Sequence, residues 1–221
     1  ATSGSNFRDP PVNFYRAAAA RDPTSLARAA ALTFMGTRLE SWPAEAQADL
    51  AAFFSRVAYK KTLEWKEEIV YSDPLATGDL RARLPDGRTV VIPEAVDPRT
   101  AFADWLTQPQ NPWFARALVN RVWYWLLGTG ITEPADAIPR GADGRPANAG
   151  AGEEVLRVLE KEFSASGYDL HSLLRLILTS RTYQQSAISL PGRTPAELAF
   201  TRYTIRRLDA EILADALTWL G

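Results

Sequence analysis

Apolar side chains recur at intervals of three and four residues along most of this chain, and that spacing favours helices over strands. Only one triplet, Val90-Val91-Ile92, is clearly rich in β-branched residues. It lies beyond an Asp86-Gly87 pair with a second run, 80–84, on the other side, which is typical of a β-hairpin. We therefore predict a mainly α fold: a multi-helix orthogonal bundle with one small β-hairpin insertion.

Proline, aspartate and glycine set the predicted helix boundaries. Asp22-Pro23, Asp97-Pro98 and Asn111-Pro112 should each begin a helix, and Asp169 should cap another. Gly36 should weaken the end of the first helix, and Ser41-Trp42-Pro43 should open the second. The stripes expected to face the core are Ala46, Leu50, Phe53, Phe54 and Val57 in the second helix; Phe114, Leu118, Val122, Trp125 and Leu126 in the helix after Asn111; and Ile212, Leu213, Ala216, Leu217 and Leu220 in the last.

Composition excludes several chemistries. The chain has no cysteine and one histidine, which excludes disulfides, thiol nucleophiles, zinc–thiolate sites and thioether-linked haem. We therefore expect no cofactor and no metal site in this chain. The 25 basic and 26 acidic side chains leave no field that would attract nucleic acid, and no apolar run approaches the roughly 20 residues of a membrane span.

Three strings then stand in order: Asn-Pro-Trp-Phe-Ala-Arg-Ala-Leu-Val-Asn-Arg-Val-Trp at 111–123, Ser-Arg-Thr-Tyr-Gln-Gln-Ser at 180–186, and Arg-Arg-Leu-Asp-Ala-Glu at 206–211. Together they resemble the planctomycete-type cytochrome-c-associated proteins. Those proteins carry paired domains of unknown function, numbered fifteen-forty-nine and fifteen-fifty-three. The resemblance is strong over residues 97–221 and weaker over 6–58.

The resemblance implies a domain organisation and a location. Residues 1–58 are expected to be a helical segment like the end of the first family domain, 59–96 a charged linker with the hairpin, and 97–221 the helical second domain, truncated at its C-terminus. It also implies an extracytoplasmic parent protein. The family's Cys-x-x-Cys-His segment is absent here, because Glu40 runs directly into Ser41-Trp42.

The polar residues of these strings allow two interpretations. Asn111, Asn120, Arg121 and Trp123 either form a ligand-facing patch suited to a sugar, or cap and connect helices through buried hydrogen bonds. The second interpretation is favoured. Arginines 181, 206 and 207 are candidate partners for Glu133 or Asp136, since a guanidinium holds a carboxylate at two points. The same candidate network includes Tyr183 and Glu211.

No catalytic residue is predicted. His171 has only Asp169 nearby, and residues two apart on a helix do not face each other. Ser180 and Ser186 lack the sharp-turn context of a hydrolase nucleophile. We expect a non-catalytic scaffold or interaction module whose partners are other domains of the parent protein, a protein or a polysaccharide. A carbohydrate-active hydrolase or lyase using the long 134–152 loop is the first alternative, and an electron-transfer protein that has lost its haem site is the second.

Overall fold

The computed structural model describes residues 22–61, 68–147, 150–186 and 210–220. These residues combine α-helices with two small antiparallel sheets. In chain order the elements are α1 (Pro23–Met35), α2 (Ala44–Ala52), β1 (Val57–Lys61), β2 (Glu68–Ser72), β3 (Leu80–Arg83), β4 (Thr89–Ile92), α3 (Pro98–Leu106), α4 (Phe114–Leu127), α5 (Glu153–Ala165), α6 (Leu170–Leu178) and α7 (Ala210–Leu220). Short 3-10 turns lie at Leu39–Ser41 and Gly150–Gly152.

Three of the predicted helix starts, at Asp22, Asp97 and Asp169, are confirmed by side-chain caps. The Asp22 carboxylate accepts a 2.9 Å hydrogen bond from the Ser25 amide, and Asp97 accepts one of 2.9 Å from Arg99. Asp169 accepts from the amides of His171 and Ser172. Gly36 ends α1 as its C-cap, with φ of 59°, so it terminates the helix and lies outside the last turn that it was expected to weaken.

The predicted hairpin is confirmed, and a second sheet lies beside it in sequence. Strands β3 and β4 pair from Leu80 opposite Ile92 to Arg83 opposite Thr89, with Gly87 at φ of 90° in the turn. Strands β1 and β2 form another antiparallel pair, with Val57 opposite Ser72. The predicted number of β-hairpins, one, was therefore too small, and Val57 belongs to β1 and does not continue the second helix. The apolar spacing of the second helix continues in the sequence beyond Ala52, where the helix ends. That spacing does not reveal that Val57 pairs with Ser72 in a strand.

Two clusters of buried apolar side chains fill the described part of the chain. The first gathers α1, α2, the β3–β4 hairpin and α3, together with Trp113, Ala117 and Ile138. The second lies among α4, α5 and α6. Helix α4 supplies residues to both clusters. Ile138 belongs to the loop after α4, and its amide donates a 2.8 Å hydrogen bond to the Gly36 carbonyl, so this loop is packed against the end of α1.

Three predicted core positions are wrong. Trp125 is 56% exposed, because the buried face of α4 is centred on Ala115, Val119 and Trp123 instead. In α7, Ala216 is exposed and Leu217 is 61% exposed. An apolar stripe identifies which side chains share a face, but burial also needs a neighbouring element to cover that face. The side chains of Ile212, Leu213 and Leu220 lie outside the described residues.

The helices within the described ranges are too short or too polar to cross a bilayer.

Candidate functional site

Asn120 is completely buried and connects α4 to the segment that follows it. Its side-chain nitrogen donates to the carbonyls of Thr132, at 2.9 Å, and Ala135, at 3.3 Å, while its oxygen accepts from the Thr132 amide at 2.9 Å. The amide group therefore uses both its donor and its acceptor on backbone groups. Gly130 lies against this amide group, since a Cβ at Gly130 would be 3.2 Å from the Asn120 side-chain oxygen and 2.5 Å from the Thr132 carbonyl oxygen.

Arg121 joins three parts of the fold. Its guanidinium donates to the carbonyls of Leu32 and Thr33, at 3.0 and 2.9 Å, near the carboxyl end of α1. The same group binds the Asp136 carboxylate, with the shortest contact at 2.6 Å. A cation at a helix carboxyl end satisfies free carbonyls and opposes the negative end of the helix dipole. Arg121 thus ties α4, α1 and the 134–147 loop together.

Arg116 is a charged residue of the same string that sequence reasoning did not select. Its side chain is only 6% exposed, and it binds the carboxylates of Glu153 and Glu160 and the Ala147 carbonyl. Burial raises the pKa of the Glu160 carboxyl, and the Glu153 carboxylate also raises it, against the lowering effect of Arg116. A long side chain on an otherwise apolar helix face, one turn before Asn120, is the sequence signal that could have indicated it.

Asn111 and Trp113 hold the start of α4. The Asn111 oxygen accepts from the amides of Trp113, at 2.9 Å, and Phe114, at 3.3 Å, and its nitrogen donates to the Trp105 carbonyl. The indole N–H of Trp113 donates to the Gly144 carbonyl at 3.2 Å. The Asn111 side chain therefore stabilises the start of α4. The N-cap position itself is Trp113, which makes no side-chain cap, so the cap predicted at Asn111 lies two residues too early.

A polar groove of about 500 Å³ opens beside the start of α4. Its walls are the β3–β4 turn, the residues after α3, the Asn111–Trp113 segment and residues 143–145. Asp86 accepts hydrogen bonds of 2.9 Å from the Trp105 indole and from the Arg88 guanidinium. Partial burial opposes ionisation of Asp86, but the hydrogen bonds from Arg88 and Trp105 outweigh it and hold the pKa of this carboxyl below its usual range.

The other predicted site residues are dispersed. Trp123 is buried in the second cluster, and Tyr183 packs partly buried against the same cluster. The Glu133 carboxylate accepts from the Gly130 amide, so it closes the turn after α4. Arg181 is exposed in the turn after α6. Arg206 and Arg207 lie outside the described residues, as does the side chain of Glu211, whose backbone belongs to α7.

His171 and Asp169 are closer than expected, because Asp169 precedes α6 as its cap. The His171 Nδ1 lies 3.6 Å from an Asp169 oxygen, and the Ser172 hydroxyl donates to the other oxygen at 2.6 Å. In a hydrolytic triad the histidine stands between the serine and the aspartate. Here the aspartate stands between the other two and also accepts both of their backbone amides, which is the geometry of a helix cap.

No group of three or more His, Cys, Asp or Glu side chains suited to a metal ion occurs among the described residues.

Comparison with known proteins identifies a family. The model of a family described as "PSD1: Protein of unknown function (DUF1553)" matches residues 98–221. No curated protein and no solved structure matches the chain.

Proposed function

The chain belongs to the PSD1 family of proteins of unknown function (DUF1553), and from this membership we propose that it is a non-catalytic interaction module. In this proposal it is part of an extracytoplasmic, planctomycete-type cytochrome-associated protein, and its helices hold a neighbouring domain, a protein or a glycan in position. The proposal includes an orthogonal, predominantly helical bundle as the framework of residues 97–221.

One observation carries the proposal. The polar side chains of the 111–123 string use their hydrogen bonds inside the chain: Asn111 accepts from the Trp113 amide, Asn120 binds Thr132, and Arg121 binds the end of α1. Arg116 is likewise committed to two glutamates. Catalytic groups must instead reach a substrate, so a string whose polar groups are already satisfied supports a structural role.

Turnover is the direct test of the non-catalytic part. The full chain would be incubated with neutral and acidic polysaccharides and with acyl and aryl esters, and released reducing ends and acids would be measured. We expect no release above the buffer control. Hydrolysis that is lost in Arg121→Lys, a variant that keeps the charge, while the circular dichroism spectrum is unchanged, would overturn the proposal.

The parentage has a separate test, which is the sequence of the complete gene. We expect a secretory signal and a Cys-x-x-Cys-His haem-binding segment elsewhere in the same gene product. A complete gene that encodes neither would contradict the extracytoplasmic, cytochrome-associated part, and it would leave the interaction role to be judged on binding data.

A further inference from the structure

The groove beside Asp86 is built from three separate segments, 86–88, 105–113 and 143–145, and its walls are fixed to one another. The Trp113 indole binds the Gly144 carbonyl, while the Trp105 indole binds Asp86 across the groove. Gly144 has φ of 79°, and a Cβ there would lie 2.1 Å from the Pro85 carbonyl oxygen. The hairpin turn and the 143–145 loop therefore meet backbone to backbone, which gives the groove a preformed shape.

Hydrogen-bonding groups remain free on this shape. Gln108 and Gln110 are exposed, and their side-chain amides make no hydrogen bond to another described residue. Arg145 is also exposed, and its backbone amide, not its guanidinium, contacts Asp143. Amides donate and accept, the guanidinium donates, and the second oxygen of Asp143 accepts. The groove thus offers both hydrogen-bond donors and hydrogen-bond acceptors to a ligand.

The charges of the groove cancel. Asp86 pairs with Arg88 at 2.8 Å, and Asp143 lies beside Arg145. Two carboxylates would repel a phosphate or a sulfated ligand, and two guanidinium groups would repel a cation. This arrangement favours a neutral ligand that carries its own donors and acceptors.

We propose that this groove binds a neutral polyhydroxylated ligand, a short segment of an uncharged glycan. A hydroxyl group donates and accepts at one atom, so vicinal hydroxyls match adjacent carboxylate, amide and guanidinium groups. A peptide is disfavoured, because Trp105 and Trp113, the aromatic residues of the lining, are only 3% and 0% exposed, so the groove presents no aromatic surface to a peptide. The proposal rests on the interaction role proposed above and gives that role a site and a ligand class.

Binding should be weak, since no exposed ring stacks on the sugar and the contacts are hydrogen bonds made in competition with water. Titration followed by two-dimensional ¹H–¹⁵N NMR measures such binding and locates it. The probes are the uncharged hexasaccharides of cellulose, xylan, mannan, laminarin and chitin, with a heparin hexasaccharide as the anionic comparison and a proline-rich decapeptide as the peptide comparison.

We expect at least one uncharged hexasaccharide to shift the side-chain amide signals of Gln108 and Gln110 and the indole signal of Trp105. Arg145→Ala and the double variant Gln108→Ala/Gln110→Ala should weaken this binding about fivefold or more, the effect of removing one or two hydrogen bonds. Arg157→Ala, an exposed arginine on α5, is the matched control and should leave the affinity unchanged.

Three results would overturn the glycan assignment: no shift with any uncharged hexasaccharide at 20 mM, shifts that lie outside the groove, or groove shifts caused only by heparin or by the decapeptide. Each of these leaves the non-catalytic interaction role standing. Cleavage of a bound hexasaccharide during the titration would instead refute the non-catalytic role while the groove assignment survived, so the two failures are distinguishable.

Discussion

Replacing Asn120 with aspartate tests whether the 111–123 string is structural. The two side chains have nearly the same shape, so Asn120→Asp leaves no cavity. It replaces a nitrogen that donates to the carbonyls of Thr132 and Ala135 with an oxygen that faces them. The bond from the Thr132 amide can persist.

The expected loss of stability has two parts. Two donated hydrogen bonds disappear, at about 0.5–1.5 kcal/mol each, for a total of about 1–3 kcal/mol. The new carboxyl is buried, and we expect burial to raise its pKa by about two units, each worth about 1.4 kcal/mol. With the pKa raised in the folded state, the penalty is small below the unfolded pKa of about 3.9 and grows as pH rises through the folded value. The free energy of unfolding should therefore fall by about 4–6 kcal/mol at pH 8, and by about 2 kcal/mol less than that at pH 4.5.

Urea denaturation followed by circular dichroism, at both pH values, measures this difference against the wild-type chain. Gln108→Glu makes the same amide-to-acid change at an exposed position, and it should change the free energy by less than about 0.5 kcal/mol. A loss below 0.5 kcal/mol in Asn120→Asp at pH 8 would refute the structural role. A loss of equal size at both pH values would refute the buried charge as its cause.

Four further outcomes follow from the packing. Gly144→Ala should lower the free energy of unfolding, measured by urea denaturation, by at least about 2 kcal/mol more than Gly78→Ala. Both glycines have φ near 80°, but only at Gly144 would the added Cβ meet other backbone atoms. Equal losses would refute the close approach. Arg116→Met should cost about 3–5 kcal/mol, since it leaves two partly buried glutamates unpaired. Glu160→Gln should lower the free energy of unfolding by less than about 1 kcal/mol, and this loss should shrink as pH rises. Burial raises the pKa of the Glu160 carboxyl, so the stability that the wild-type carboxyl contributes is lost as pH rises through its folded pKa. A loss that grew with pH would contradict this reasoning. The fragment 98–221 should unfold without a cooperative transition and bind a hydrophobic dye, because α3 and the start of α4 complete their core with α1 and α2; a sharp urea transition would show that it is self-sufficient.

Local signals in the sequence located most helix starts correctly. A capping side chain acts over two or three residues, as Asp22 does on Ser25 and Asp169 on Ser172, so the pattern contains the whole interaction. The hairpin turn at Asp86-Gly87 is equally local. The β1–β2 sheet was missed because Val57 has to find Ser72 across a charged stretch that carries no turn signal.

The sequence indicated what type of contact a polar side chain would make, but not which residue would be its partner. That Asn120 would join a buried network followed from its place in an apolar helix, but its partner at Thr132 did not. Asp136 was assigned to a distant arginine, whereas Arg121 holds it and also reaches the end of α1, 88 residues away. Arg116 escaped notice because its glutamates lie 37 and 44 residues further along.

The sequence alone determined most helix starts and the resemblance of residues 98–221 to the DUF1553 family. It also determined that the chain has no cysteine. Capping depends on neighbouring residues, and a family string or a composition is read directly from the order of residues. The tertiary structure alone decided which polar side chains meet, which apolar stripes are covered, and that three separate segments form one groove. Those properties depend on the distances between elements, and nothing in a linear order of residues fixes such distances until the cores have packed.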